Sequence, residues 1–153
     1  MLHIHRCKVW RAKRKVQNYL KIIRLFNDIA GLKRIFIISP VRGITKEEKQ
    51  FLDEYVARLE SQGHSVHYPC RDTNQNDPIG LYICCENREA IRKSDEVHVY
   101  WKEKSKGSLF DFGMLFIAEK PIVLINRDEI KRTPYKSFQN VLLELDARHR
   151  KKL

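Results

Sequence analysis

A chain of 153 residues with 42% hydrophobic side chains can build one core of ordinary size. It has no apolar run near the roughly 20 residues that cross a bilayer, and its start, MLHIHRCKVWRAKRK, lacks the apolar block of a secretory leader. No membrane contact is therefore expected, and the expected compartment is the cytoplasm. The net charge of +11 is unevenly placed: residues 1–34 carry ten Lys or Arg against one acid, Asp28. The rest is nearly neutral, with a small basic cluster at Arg148, Arg150, Lys151 and Lys152.

The basic segment has apolar residues at Val16, Leu20, Ile23 and Phe26, close to the three-to-four spacing of one helix face. This pattern predicts a basic amphipathic helix from about Val9 to Ile29, an extension (1–33) to a main domain (34–153). Its cationic faces are either solvated or a contact for nucleic acid through residues 6–34. His3 and His5 lack a third ligand and read as a terminus rather than a metal site. Cys7, Cys70, Cys84 and Cys85 show neither metal-ligand nor disulfide spacing and read as reduced thiols. No metal or cofactor is expected.

From Arg34 onward, short apolar runs alternate with helical segments. RIFIIS (34–39) is a continuous β-branched run suited to a strand covered on both faces. Thr45 and Glu48 form a capping box for a helix whose apolar face is Phe51, Leu52, Tyr55, Val56 and Leu59, and Gly63 ends it. SVHYP (65–69) is a second strand, followed by a loop (71–78) and a helix from about Ile79 to Lys93. EVHVYW (96–101) is the third strand, Ser108 to Glu119 a helix, PIVLI (121–125) the fourth strand, and Ser137 to about His149 the last helix. This alternation implies an α/β fold with an open, mostly parallel sheet flanked by helices. His98 and Tyr100 read as packed beneath a helix, and Asp95 as closing a turn.

In such sheets, ligands bind beyond the carboxyl ends of the strands. Ser39, Arg42 and Gly43 in SPVRG offer a hydroxyl, a guanidinium and a flexible turn near a helix start, a combination that suits an anion. Ser105, Gly107 and Ser108 open the helix that carries Asp111, and a third loop runs from Asn126 to Ser137. Trp101, ending the third strand, either stacks on a base or fills the core edge. Asp111 has two readings. With Ser108 as N-cap it is the N3 acid of a capping box; alternatively it faces the crevice as a carboxylate that attacks or stabilises an electron-poor carbon.

RIFIISPVRG, ENREAIRKSDEVHVY and SKGSLFDFGMLFIAEKPIVLI resemble, in that order, the motifs of the nucleoside 2-deoxyribosyltransferase superfamily, most closely its 2'-deoxynucleoside 5'-monophosphate N-glycosidase branch. The likeness spans about residues 34–145. It implies a Rossmann-like (flavodoxin-like) fold and cleavage of a sugar–base bond by transfer of the sugar to a carboxylate, then to water or a second base. It places Asp111 at the nucleophile position, Asn87 at the position that meets the leaving base, and Phe36 in the first-strand motif. Ser39, Arg42 and Gly43 fall in the loop after that strand, and Ser105 becomes a phosphate contact. It further implies a nucleotide substrate and a homodimer or larger homo-oligomer in which Ser137 or Asn140 serves across subunits.

At three positions the chain departs from the family pattern. Asp111 stands where a glutamate is usual, Phe36 where a tyrosine is usual, and Asn87 where an aspartate is usual. The shorter acid displaces a reacting group by about 1 Å; Phe36 cannot donate a hydrogen bond, and Asn87 cannot act as an acid. The expected function is hydrolysis or transfer at the N-glycosidic bond of a nucleoside 5'-monophosphate. A nucleotide-binding sensor without turnover is the first alternative, and a nucleic-acid-associated protein acting through the basic helix the second.

Overall fold

The computed structural model describes residues 15–23, 25–26 and 31–152. The chain falls into two units, residues 1–33 and 34–153. In the first, residues 15–23 and 25–26 are helical. Val16, Tyr19, Leu20 and Phe26 are exposed there. The remainder of the helix expected from Val9 to Ile29 lies outside the described residues, as do His3, His5 and Cys7.

The second unit is a sheet of β1 (Arg34–Ile38), β2 (Ser65–His67), β3 (Glu96–Val99) and β4 (Ile122–Leu124) in the order β2-β1-β3-β4, every pairing parallel. Between the strands run α1 (Lys46–Ser61), the four-residue α2 (Pro69–Asp72), α3 (Leu81–Lys93) and α4 (Lys106–Ile117). A 3-10 turn (Arg127–Glu129) and α5 (Phe138–Arg150) follow β4. This is the α/β sheet expected. The short α2 and the 3-10 turn are additions with no sequence periodicity to announce them.

Alternation along β1 separates two cores. Phe36 and Ile38 join Val97, Val99, Ile122 and Leu124 under Ile91 of α3, Phe112 and Leu115 of α4, and Leu142 of α5. Ile35 and Ile37 face the other way, onto Leu52, Val56 and Leu59 of α1. Each fully buried Leu, Ile or Phe contributes about 1.5–3 kcal/mol of transfer free energy. Both faces being covered, β1 tolerates no polar side chain between Ile35 and Ile38.

The capping box of α1 is complete: Glu48 N–H donates to Thr45 Oγ1 at 3.2 Å and Thr45 N–H to Glu48 Oε2 at 3.0 Å. Gly63 follows with φ +88°, the left-handed conformation that stops the helix. Gly80, at φ +84°, precedes α3 and has no side chain to cap it. Asp77 does so from three residues upstream, its Oδ2 accepting from Tyr82 N–H at 2.8 Å and Ile83 N–H at 3.3 Å. Asp95, expected to close the α3–β3 turn, ties that turn to the start of β1, its carboxylate accepting from the main-chain N–H and guanidinium of Arg34 at 2.6 to 3.0 Å. Among the described residues no helix is long and apolar enough to cross a membrane.

Candidate active site

In the strand order, the connection from β1 passes outward to β2 on one side, while β3 lies on the other. The carboxyl ends of β1 and β3 therefore flank the point where the topology reverses, the usual position of a ligand crevice. A cavity of about 500 Å³ opens there. The loop after β1 supplies Ser39, Val41 and Arg42; the β3–α4 loop and the first turns of α4 supply Lys104, Ser105, Lys106, Gly107, Ser108, Phe110 and Asp111. From α3 come Ile83, Cys84 and Asn87, and from the α2 region Pro69 and Gln75.

The start of α4 decides what Asp111 is for. Its N-cap is Ser105, whose Oγ accepts from Ser108 N–H at 3.2 Å and lies 2.9 Å from Ser108 Oγ. The helix thus begins nearly one turn before the expected Ser108, and Asp111 sits in the second turn. There it reaches none of the free amides at the helix start, so the capping-box reading fails.

Asp111 is only 8% exposed. Its hydrogen-bond donor is Asn87, with Nδ2 at 3.3 Å from Oδ1 and 3.2 Å from Oδ2. Burial pushes its pKa up to about 6, and the Asn87 bond restrains the rise. A carboxylate near its ionisation point, facing a cavity, is suited to nucleophilic or acid–base work.

Around it the rim is cationic. Arg42, Lys104 and Lys106 are exposed at the mouth, beside the amino terminus of α4. Ser39 is buried, and neither its Oγ nor Tyr68 Oη makes a hydrogen bond of full geometry, although the two hydroxyls interact. Cys84 lies close to the carboxylate; burial, then the charge of Asp111, push its thiol up and away from thiolate. Among the described residues no group of three His, Cys, Asp or Glu could hold a metal ion.

Several expected site residues stand elsewhere. Phe36 is wholly buried in the core and stacks on His67. Trp101, 5% exposed, packs edge-on against Phe112 at 6.1 Å with Nε1 unpartnered, so it fills the core edge rather than offering a stacking face. Gly43 takes φ +75° in the β1–α1 loop and sets its turn without lining the cavity. Ser137 caps α5 by accepting from Asn140 N–H at 3.2 Å. Asn140 ties down the preceding loop, accepting from Thr133 N–H and donating to the carbonyls of Thr133 and Tyr135 at 2.9 to 3.0 Å. Ile83 and Cys84 were legible in principle, four and three residues before Asn87 on the same helix face; Gln75 and Pro69 arrive only through the fold.

A second cavity, of about 630 Å³, is lined by the start of β1, the length of β2, Asp72 of α2 and α3 from Cys85 onward. Of its acids, Asp72 and Glu89 are bonded to Arg71 and Arg92 and Glu86 is exposed, so no buried, cation-free carboxylate faces it.

Neither a family model nor a curated protein sequence matches the chain significantly. Among solved structures, a 2-deoxyribosyltransferase from Bacillus psychrosaccharolyticus aligns over 72% of this chain and 90% of its own, with a TM-score of 0.51 and 18% identity. The fold is the deoxyribosyltransferase fold. A CMP N-glycosidase from Clostridium botulinum aligns over 60% of this chain and 70% of its own, with 25% identity and a TM-score of 0.46.

Proposed function

We propose that this deoxyribosyltransferase-fold protein cleaves the N-glycosidic bond of a nucleoside 5'-monophosphate, with Asp111 as the nucleophile. The carrying observation is the buried carboxylate, with its pKa near 6, opening onto a cavity at the carboxyl end of the sheet. The sequence resemblance to the N-glycosidase branch points the same way. Arg42, Lys104, Lys106 and the start of α4 supply positive potential for a 5'-phosphate.

In the reaction an Asp111 oxygen donates an electron pair to C1' of the sugar as the C1'–N bond breaks toward the base. The base takes a proton from water. Water then adds at C1', displacing the carboxylate and releasing the sugar phosphate and a proton. A second base in place of that water gives transfer. Asn87 holds the carboxylate and cannot protonate the leaving base. No histidine or second carboxylic acid lines the cavity among the described residues, so turnover is slow and favours bases that leave readily as anions.

That missing acid also supports a second reading, a nucleotide-binding protein without turnover. Free-base release from ribo- and deoxyribonucleoside 5'-monophosphates and the matching nucleosides, with Asp111→Ala beside the wild type, separates the two. Release that needs both Asp111 and the 5'-phosphate establishes the enzyme; nucleotide binding without release establishes the sensor. The exposed side chains Phe110, Phe116 and Ile117 on α4 support self-association through that helix, which sedimentation of the protein tests. A basic extension in contact with nucleic acid is a separate proposal, tested by salt-dependent retention with and without residues 1–32.

A further inference from the structure

The buried amide of Asn87 has two ends. Its Nδ2 faces Asp111, and its Oδ1 accepts from the Thr73 hydroxyl at 3.2 Å. Flipped end for end, the amide would set a carbonyl against the carboxylate, losing a hydrogen bond and placing two acceptors together. Thr73 opposes this when its oxygen accepts from His67, because the flipped amide would then leave the one hydroxyl proton of the buried Thr73 with no acceptor. The buried Thr73 oxygen is then left to accept, and the atom against it is His67 Nε2, at 3.0 Å. This pairing requires the Nε2–H tautomer of His67.

The surroundings hold this chain in place. The His67 ring stacks on Phe36 with centroids 5.4 Å apart and 13° between planes. Thr73 follows α2 directly, its N–H donating to Pro69 O at 3.3 Å and its carbonyl accepting from Gln75 Nε2 at 3.1 Å. His67 also feels Asp72, Glu86 and Arg71; its burial, the largest influence, favours the neutral ring, which has one N–H to place.

We infer that Thr73 and His67 are positioning residues for Asp111: the one-way chain from His67 Nε2–H through the Thr73 hydroxyl to Asn87 Oδ1 locks the amide with its donor toward the carboxylate. Asp111 is thereby held ionisable inside a site that otherwise favours its protonated form. The functional consequence rests on the reading of Asp111 as a working nucleophile, whereas the chain itself does not.

The first measurement is made on the wild-type protein, by the nitrogen-15 shifts of His67 above neutral pH. The Nε2–H tautomer is expected. An Nδ1–H tautomer overturns the inference, since Thr73 would then donate to His67 and leave Asn87 unlocked. The second follows the Asp111 carboxyl by carbon-13 titration without ligand. Thr73→Val should raise its midpoint by about half a pH unit, and Thr73→Ser should restore it. A folded Thr73→Val protein with an unshifted midpoint also overturns the inference. An unfolded one leaves the tautomer as the deciding result. In base release, Thr73→Val should lower kcat about tenfold with little change in KM. A shifted midpoint in a protein that releases no base sinks the N-glycosidase reading and leaves the positioning chain standing.

Discussion

Asp111 and Asp146 are both buried carboxylates on helices packed against the sheet, and their surroundings treat them oppositely. Asp146 is fully buried, yet its Oδ1 accepts from Leu124 N–H at 2.9 Å and its Oδ2 from Arg127 and Arg150 at 3.0 and 2.8 Å. Glu96 is similarly furnished, bonded to His98 at 2.7 Å and His149 at 3.0 Å, with Tyr55 on the far nitrogen of His98 at 2.7 Å. Asp111 has one amide donor and no cation bonded to it. A buried charge with full partners is a fastener, joining α5 to β4; a buried charge without them is a cost that folding alone does not explain.

The sharpest way to break this contrast is activity. Asp111→Ala should reduce base release by on the order of a thousandfold or more, while Asp146→Asn, remote from the cavity, should leave the rate per folded molecule unchanged. Equal losses in both would remove the distinction.

Stability should move in opposite directions. The raised pKa of Asp111 means that the folded state binds a proton more tightly than the unfolded chain. Wild-type stability therefore falls as pH rises from about 4 to about 6 and stays reduced above that. Asp111→Asn should be more stable than the wild type by up to about 3 kcal/mol at pH 7.5, with the gain vanishing below pH 4, measured by chemical denaturation. Asp146→Ala should lose about 1–3 kcal/mol at either pH, because Leu124 N–H is left buried without an acceptor. A stabilised Asp146→Ala would show that its partners do not compensate its burial.

The same titration sets the rate profile. Base release should fall as pH drops below about 6, since the nucleophile must be ionised. The smallest effect concerns the rim: Arg42→Ala should raise KM for a 5'-monophosphate about tenfold, the worth of one exposed charge-assisted contact, and leave the nucleoside unaffected.

Much of this contrast was hidden in the sequence. The alternation of RIFII, the capping box at Thr45 and Glu48, and the order of strands and helices were all legible, because each depends on neighbours within a few residues. So were Ser39, Arg42, Ser105 and Asp111 as crevice candidates, since loops after strands have a fixed place in a parallel sheet. The helix start was misjudged by nearly one turn, as Ser105 and Ser108 are equally good caps by composition and only the backbone chooses between them. The choice between the two readings of Trp101, and the full burial of Phe36 away from the crevice, could not be read locally, because burial depends on what packs over a residue, which no local pattern reports.

By itself, then, the sequence determined the elements, their parallel layering and a carboxylate at the mouth of the sheet, all consequences of periodicity and short-range hydrogen bonding. Tertiary structure decided that Asp111 lies inside, that Asn87 from another helix is its donor, and that Thr73 and His67 stand behind that donor. Residues 67, 73, 87 and 111 come from four separate elements and loops. Their meeting depends on the close packing of α3 and α4 over β1, a long-range balance of buried area and hydrogen bonding that no stretch of sequence carries on its own.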